Sequence, residues 1–142
     1  MLIGEFRHQL DDKNRIRIPA KLRNQLGNDY IVMKGTNGCL FIFSQEEIEN
    51  TLNSKLRELP LGDLKAQKSL RALFSSGYNI EEDSQGRFVL PNYLKEYAGI
   101  KKNVVSVGVG NRVELWDEEV WDNYNGDVNI DDVIGELTRY GI

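Results

Sequence analysis

The chain contains two copies of one short sequence pattern, separated by 72 residues. With φ for an apolar residue, the pattern is D-x-x-[N/G]-R-φ-x-φ-P-x-x-L-[R/K], and it occupies residues 11–23 and 83–95. After one inserted residue the match continues along the chain, so two units at residues 4–50 and 76–122 are predicted. A linking helical segment at 51–75 and an acidic helical tail at 123–142 complete the predicted organisation.

Each unit is predicted to contain a strand, a tight turn, a second strand and a short helix. Apolar and polar residues alternate over residues 6–10 and 15–18, which is typical of half-buried strands. Asn14, and Gly86 in the second copy, tolerate the positive φ that a tight turn needs. Pro19 ends the second strand and begins a short helix. We expect the two strands that flank each turn to pair as a two-stranded ribbon.

Further elements follow from hydrophobic spacing and capping residues. A hairpin is predicted from residues 31–34 and 40–43, with an equivalent turn at Gly108–Gly110, and Ser44–Glu47 is a capping box that starts an amphipathic helix. The inward side of that helix is predicted to carry Ile48, Leu52 and Leu56. A second helix begins at Asp63 and ends at Gly77, and its predicted buried side carries Leu64, Leu70, Leu73 and Phe74.

The C-terminal helix is predicted to begin at Asn129. Its apolar side consists of Val133, Ile134, Leu137 and Tyr140, and we expect it to dock on the body of the protein or on a neighbouring chain. Neither unit alone has enough apolar residues for comfortable stability. We therefore expect an α+β fold in which the two units form one pseudo-twofold, barrel-like core with flanking helices.

The distribution of charge matters more than the net charge of −4. Residues 1–112 contain 17 Lys and Arg against 13 Asp and Glu, a net charge of +4, whereas residues 113–142 contain one Arg against nine acidic residues, a net charge of −8. Because ions screen fields beyond about 8–10 Å, the local charge decides whether phosphate is attracted. The first unit is therefore compatible with nucleic acid despite the acidic total.

Catalytic and metal sites are not expected. The chain has one histidine, His8, and one cysteine, Cys39, and both fall on predicted strands as structural residues. A Cys–His hydrolase lacks a defined third group, zinc lacks a ligand cluster, and no phosphate-binding glycine motif occurs. A calcium loop beginning at Asp127 fails because Asp132 and Thr138 stand where glycine and a bidentate glutamate are needed. No cofactor or small-molecule substrate is expected.

The D-x-x-x-R turns have both a structural and a functional interpretation. The structural residues are predicted to be Asp11, Asn14, Asp83 and Gly86, with each aspartate accepting backbone N–H bonds and pairing with the arginine of its turn. That role leaves Lys13 and Arg17 unexplained, because neither has an acidic residue in register. A two-stranded ribbon fits the DNA major groove, where arginine can bond guanine. The predicted DNA contacts are Arg7, Lys13, Arg15, Arg17 and Arg87, with the first unit dominant.

These residues resemble the MraZ family of bacterial regulators, which have two tandem AbrB-like swapped-hairpin repeats. The resemblance rests on the turns Asp11–Arg15 and Asp83–Arg87, the prolines Pro19 and Pro91, the linking helix and the total length; Asn14 replaces the family's usual glycine. It implies a transcription factor, usually a repressor, that acts on its own division-and-cell-wall gene cluster. It also implies a homo-oligomeric ring that binds short direct repeats in promoter DNA.

Two alternatives to a DNA-binding regulator remain, and cellular location is a further expectation. AbrB-like folds also serve as antitoxins, and the acidic tail would suit a protein-interaction module. The N-terminal residues lack the pattern of a secretory signal, no run is apolar enough for a membrane span, and the single cysteine fits a reducing compartment. We therefore expect a cytoplasmic, nucleoid-associated protein without a membrane partner. The other alternative, a small hydrolase that uses Cys39 or His8, has the least support.

Overall fold

The computed structural model describes residues 1–142 and has a mixed α+β architecture. The strands are β1 (Leu2–Gln9), β2 (Arg15–Arg17), β3 (Tyr30–Lys34), β4 (Leu40–Ser44), β5 (Tyr78–Asn79), β6 (Arg87–Val89), β7 (Asn103–Gly110) and β8 (Val113–Asp117). Six of them form one antiparallel sheet in the order β1-β7-β8-β4-β3-β5, and β2 and β6 form a separate two-stranded sheet.

The helices connect and flank these strands. Their bounds are α1 (Ala20–Leu26), α2 (Gln45–Glu47), α3 (Asn53–Leu56), α4 (Leu64–Ser75), α5 (Asn92–Tyr97), α6 (Glu118–Asn125) and α7 (Ile130–Thr138). A π-helical stretch at Ile48–Leu52 joins α2 to α3, and a short 3-10 turn at Thr36–Gly38 lies between β3 and β4. None of the helices combines the length and hydrophobicity that a membrane crossing requires.

The strands that flank the two D-x-x-x-R turns pair with strands of the other unit. β1 pairs with β7 along its whole length, from Leu2 opposite Gly110 to Gln9 opposite Asn103. β2 pairs with β6. The expectation that β1 and β2 form a local ribbon is therefore wrong. The physical reason is length: β2 has three residues, whereas β7 offers β1 a full set of eight partners.

The two-stranded sheet relates the two units by an approximate twofold. Ile16 lies opposite Phe88, and on either side Arg15 lies opposite Val89 and Arg17 opposite Arg87. At the 72-residue offset, Arg15 is equivalent to Arg87 and Val89 is equivalent to Arg17. The pair Arg15–Val89 is therefore equivalent to the pair Arg87–Arg17. The repeat in the sequence therefore corresponds to a symmetry of the strand pairing.

The main sheet is open and not a closed barrel. Its outer strands are β1 and β5, which do not pair with each other, and β5 has only two residues. The expected barrel-like core is thus wrong, since a strand of two residues cannot complete a closed ladder. The AbrB-like swapped-hairpin assignment stays a prediction.

Both units contribute to one hydrophobic core of 19 buried residues. Ile16 and Phe88 are 1% and 2% exposed, and the Phe88 ring packs edge-to-face on Tyr30 with centroids 6.1 Å apart. Burial of each large apolar side chain contributes about 1.5–3 kcal/mol. Because the two units bury their apolar faces on each other, the core lies directly beneath the two-stranded sheet and supports it.

The predicted helix starts are confirmed. The Ser44 hydroxyl accepts the Glu47 N–H at 3.1 Å, and the Asp63 carboxylate accepts the Ala66 N–H at 3.0 Å. Ile48 is buried, and Leu52 and Leu56 are half-buried. The capping residues could be identified because their side chains satisfy N–H groups of the first turn locally.

Three expectations about apolar or turn segments are wrong. In α4, Leu70 and Leu73 are half-buried as expected, but Leu64 is 77% exposed and Phe74 is 39% exposed. The helix packs on β3 and leaves its N-terminal turn in solvent. Gly108–Gly110 is not a turn but the end of β7, and the turn lies at residues 111–112.

The C-terminal helix α7 projects from the body. Asn129 caps it as predicted, accepting the N–H groups of Asp131 and Asp132 at 2.9 and 3.2 Å. Ile134 is 56% exposed and Leu137 is 40% exposed. Docking of the apolar side of α7 on the body of its own chain is therefore wrong, because no surface of the same chain covers these residues, and docking on a neighbouring chain stays a prediction.

Candidate nucleic-acid interface

The first D-x-x-x-R turn is organised by the carboxylate of Asp11. Its Oδ1 accepts the N–H groups of Lys13 and Arg15 at 2.9 and 2.8 Å, while the Asp11 N–H donates to the Arg15 carbonyl at 3.0 Å. These bonds, above all the one from the Arg15 N–H, hold the pKa of Asp11 below its ordinary value. Asn14 adopts a φ of 58° in the turn.

The second turn repeats this arrangement bond for bond. Asp83 Oδ1 accepts the N–H groups of Gln85 and Arg87, both at 2.9 Å, and the Asp83 N–H donates to the Arg87 carbonyl at 2.7 Å. The backbone bond from Arg87 is the main reason that the pKa of Asp83 is lowered. Gly86 takes a φ of 76°, so the four predicted turn residues lie where the pattern placed them.

Each aspartate also orients the arginine of its own turn without using all of its donors. Arg15 Nε donates to Asp11 Oδ2 at 2.6 Å, and Arg87 Nε donates to Asp83 Oδ2 at 3.0 Å. The Nη groups of both arginines donate no hydrogen bond within the chain, although Arg87 Nη1 lies 4.0 Å from Asp11 Oδ2. Their side chains are 29% and 27% exposed. The paired Nη groups are therefore fixed in direction and open to a ligand.

Four of the five predicted contact residues line one open groove. The groove has a volume of about 640 Å³, and its basic residues are Arg7, Arg15, Arg17 and Arg87. Phe6 and His8 of β1 form part of its wall, while Pro19 lies at the end of β2. The arginines come from both units, because the β2–β6 pairing brings Arg87 beside Arg17.

Lys13 and Arg17 have no carboxylate within 4.0 Å. Both side chains are exposed. Arg17 lines the groove, whereas Lys13 lies on the turn outside the groove lining. These two cations are thus unneutralised, in agreement with their lack of an acidic residue in register.

Arg7 is held by carboxylates of its own chain. Its Nη2 and Nη1 donate to the two oxygens of Asp122 on α6 at 2.8 and 3.3 Å, and its Nε donates to Glu5 at 3.4 Å. Glu118 lies 3.6 Å away. The bond to Asp122 raises the pKa of Arg7 and lowers that of Asp122. The structure therefore places Arg7 in the groove with its donors already engaged.

Sequence reasoning missed the position of α6 at one end of the groove. The acidic residues of the C-terminal part are obvious in the sequence, but their location depends on aromatic packing of α6 against β8. Trp116 stacks on Tyr124 with centroids 5.0 Å apart, and Trp121 Nε1 donates to Glu5 at 2.7 Å. The one signal in the sequence was the spacing of Trp121 and Tyr124, three residues apart, which predicts a packed helix face.

A partly buried hydrogen-bond network that joins the units was also missed. Glu82 accepts a hydrogen bond from the Tyr30 hydroxyl at 2.6 Å and from Arg23 Nε at 2.8 Å. The Arg23 bond is the main reason that the pKa of Glu82 is lowered, and burial is the main reason that the pKa of Tyr30 is raised. The network holds the backbone that leads into the second turn, because Glu82 directly precedes Asp83.

His8 and Cys39 have the properties of structural side chains. His8 Nε2 is 2.7 Å from the hydroxyl of Ser106, which is fully buried, and burial lowers the pKa of His8 to about 4. Cys39 is buried, and burial raises the pKa of its thiol to about 12. A neutral imidazole of such low basicity and a thiol of such low acidity are poorly suited to nucleophilic catalysis at neutral pH. No group of three or more His, Cys, Asp and Glu side chains is placed to hold a metal ion.

The comparison with protein families decides the classification. A family model described as "MraZ protein, putative antitoxin-like" matches residues 1–71 and 73–132. The chain belongs to the MraZ family. Proteins named transcriptional regulator MraZ from Clostridium beijerinckii and Clostridium tetani are 45% and 46% identical to it, with all of both chains covered. The protein of that name from Acetivibrio thermocellus is 44% identical over 92% of this chain and 90% of its own.

Proposed function

We propose that this chain is a sequence-specific DNA-binding transcriptional regulator whose arginine groove contacts double-stranded DNA. The observation that carries the proposal is the convergence of Arg7, Arg15, Arg17 and Arg87 from both units on one open groove. MraZ relatives that cover the whole chain are named transcriptional regulators. By resemblance to the family, the regulator is a repressor of its own division-and-cell-wall gene cluster, and it acts in the cytoplasm at the nucleoid.

Arg15 and Arg87 are the proposed base contacts. Each is anchored through Nε by its aspartate and presents two free Nη groups. Such a fork can donate two parallel hydrogen bonds to O6 and N7 of guanine in the major groove. Because the anchor already restricts the side chain, less conformational entropy is lost on binding.

Arg17 and Lys13 are the proposed phosphate contacts. Both are exposed and unpaired, so a phosphate would face no competition from a carboxylate of the chain. Contacts of this kind fix the position of a protein on the duplex without selecting its sequence. For Arg7, a phosphate would first have to displace Asp122, so we place this residue at the edge of the proposed footprint.

An assembly of several chains, by family resemblance a homo-oligomeric ring, is proposed to bind the short direct repeats of a promoter. One groove with three or four arginines gives only weak binding that depends strongly on salt. Several grooves held in one assembly engage several repeats, and the effective concentration of the second and later contacts raises the overall affinity. Sedimentation velocity of the pure protein tests this part, since a monomer at micromolar concentration would contradict it.

The proposal is tested with the DNA segment directly upstream of the protein's own coding sequence. Fluorescence anisotropy at about 0.15 M salt should give at least a thousandfold tighter binding to this segment than to the same bases in shuffled order. Deletion of the repeats one at a time should weaken binding stepwise. Equal affinity for the native and shuffled segments would contradict sequence-specific regulation.

A second candidate function is an antitoxin-like interaction with a partner protein. The observation that favours it is the exposed apolar side of α7, where Ile130 is 64% exposed and Ile134 is 56% exposed. Removal of residues 127–142 leaves the aromatic packing of α6 intact and deletes this surface. If the truncated chain loses a stable heterologous partner and keeps its DNA binding, the interaction function is supported; full retention of all partners would contradict it.

A further inference from the structure

A second cleft opens beside the arginine groove and shares Arg17 with it. The cleft has a volume of about 330 Å³ and lies between the start of α1 and the second turn. Its polar lining consists of Arg17, Arg23, Asn24, Ser84 and Gln85, with Gly86 beside them. No carboxylate lines it, so the cleft is open, polar and positively charged.

Two guanidinium groups approach the glycine of the second turn. A Cβ atom added to Gly86 would lie 3.8 Å from Nε of Arg17 and 3.8 Å from Nε of Arg23. The two Nε atoms are therefore within 7.6 Å of each other, twice that distance. Arg23 is paired with Glu82, but Arg17 has no acidic partner. One positive charge is thus left uncompensated where two like charges meet.

Several hydrogen-bond donors in the cleft have no acceptor within the chain. The guanidinium of Arg17, the hydroxyl and backbone N–H of Ser84 and the side-chain amide of Gln85 make no hydrogen bond to the protein. Arg23 uses Nε and Nη2 and leaves Nη1 free. A cluster of donors around a net positive charge is suited to an oxyanion with several acceptor oxygens.

The duplicated fold provides an internal comparison, because the other half of the molecule has different residues at the positions that form the cleft. Val89 stands at the position equivalent to Arg17, and Asp12 at the position equivalent to Ser84. Asn14 stands in place of Gly86, and its Oδ1 accepts a hydrogen bond from Lys95 Nζ at 3.0 Å. Val89 removes one cation, Asp12 adds an acid next to Lys13, which stands in place of Gln85, and the side chain of Asn14 occupies the space that Gly86 leaves open. The cleft therefore depends on the residues of one side and not on the fold.

We propose that this cleft binds one phosphate group and that, on the function proposed above, the group is a backbone phosphate of the DNA held in the arginine groove. Arg17 connects the two sites because it lines both. Glycine at position 86 leaves space for the phosphate to approach the backbone of the second turn. Free inorganic phosphate has the same chemistry, so the experiment separates the two sources.

The main test is Gly86→Asn, which introduces the residue of the first turn into the second. Asparagine already adopts positive φ at Asn14, and a Cβ at position 86 meets its neighbours at ordinary contact distance, so the variant should fold. Ser84→Asp is an independent variant, since Asp12 occupies the equivalent position. Ser69→Asp adds the same charge on an exposed part of α4 and serves as the control.

Two measurements are made on each protein. Titration of the wild type with inorganic phosphate should shift the amide NMR resonances of residues 84–86, and both cleft variants should lose these shifts. With duplex DNA, the slope of log K against log salt should fall by about 0.9 in both cleft variants, the value for one phosphate, and stay unchanged in Ser69→Asp. If the wild type binds DNA and both cleft variants keep its salt slope and its phosphate response, the cleft proposal is overturned. If phosphate shifts the resonances while no DNA binds, the site takes free phosphate and the proposed function alone fails.

Discussion

Arg17 and Arg87 lie directly opposite each other across the two-stranded sheet. Arg87 is anchored by Asp83 at 3.0 Å, whereas Arg17 has no acidic partner. The strand pairing therefore combines one fixed and one free guanidinium at the centre of the groove. On the proposed function, this difference supports base contact by the anchored side chain and phosphate contact by the free one.

Arg17→Gln should weaken the binding of promoter DNA and of shuffled DNA by the same factor, because a phosphate contact carries no sequence information. The slope of log K against log salt should fall by about 0.9 or more. Anisotropy titrations at four salt concentrations measure both effects. Arg57→Gln, at an exposed arginine that lines neither the groove nor the cleft, is the control. A loss confined to promoter DNA would contradict the assignment.

Asp122→Asn should strengthen DNA binding, because it releases Arg7 from its bidentate carboxylate. Because solvent screens an exposed ion pair, the gain should be small, at most about fivefold in affinity. Glu119→Gln removes the same charge from the same helix and serves as the control. Glu119 pairs with Lys101 outside the groove, so this variant should have the smaller effect. Equal gains in the two variants would mean that only total charge matters.

Tyr30→Phe should lower the free energy of unfolding by about 1.5–3 kcal/mol, since the buried hydroxyl donates to the charged carboxylate of Glu82 at 2.6 Å. Tyr93→Phe removes a 2.9 Å bond to the Ser76 carbonyl at a half-exposed position and should cost about 1 kcal/mol or less. Urea unfolding followed by circular dichroism compares the two. An equal, small loss in both variants would show that the network contributes little to the contact between the units.

The local elements could be predicted from the sequence, since their causes are local. Ser44, Asp63 and Asn129 cap helices with their own side chains, and Asn14 and Gly86 take the positive φ that their positions in the pattern require. The hydrogen bonds between the aspartate and the arginine of each D-x-x-x-R turn could be predicted for the same reason. In each case residues within four positions of one another supply the interactions that set the local geometry.

The hairpin of β3 and β4 was predicted correctly, but the partners of β1 and β2 could not be predicted in this way. Residues 6–10 alternate in polarity whether β1 pairs with β2 or with β7, so periodicity carries no information on the partner. The contact of Arg7 with Asp122 joins residues 115 positions apart and depends on the packing of α6. The exposed position of Leu64 has a related cause. Amphipathic spacing identifies the apolar side of a helix, but it does not tell how much of that side other parts of the chain cover.

His8 should titrate with a pKa near 4, because burial disfavours its charged form. Unfolded chains take up this proton near pH 6.5, so the contribution of His8 to stability is present above that pH and is lost as the pH falls toward 4. Since the chain has one histidine, the imidazole resonance in an NMR pH titration needs no assignment. A midpoint near 6.5 would show that the ring is solvated.

The most direct test of the central claim is the affinity of Arg15→Ala for the promoter segment. Loss of an anchored base contact should cost about 1–3 kcal/mol, a loss of about 5- to 150-fold in affinity, while binding to shuffled DNA changes much less. Arg87→Ala should show the same selectivity with a smaller loss, and Arg57→Ala should bind as the wild type does. If Arg15→Ala binds promoter DNA with wild-type affinity and wild-type selectivity, the arginine groove is not the surface that reads DNA.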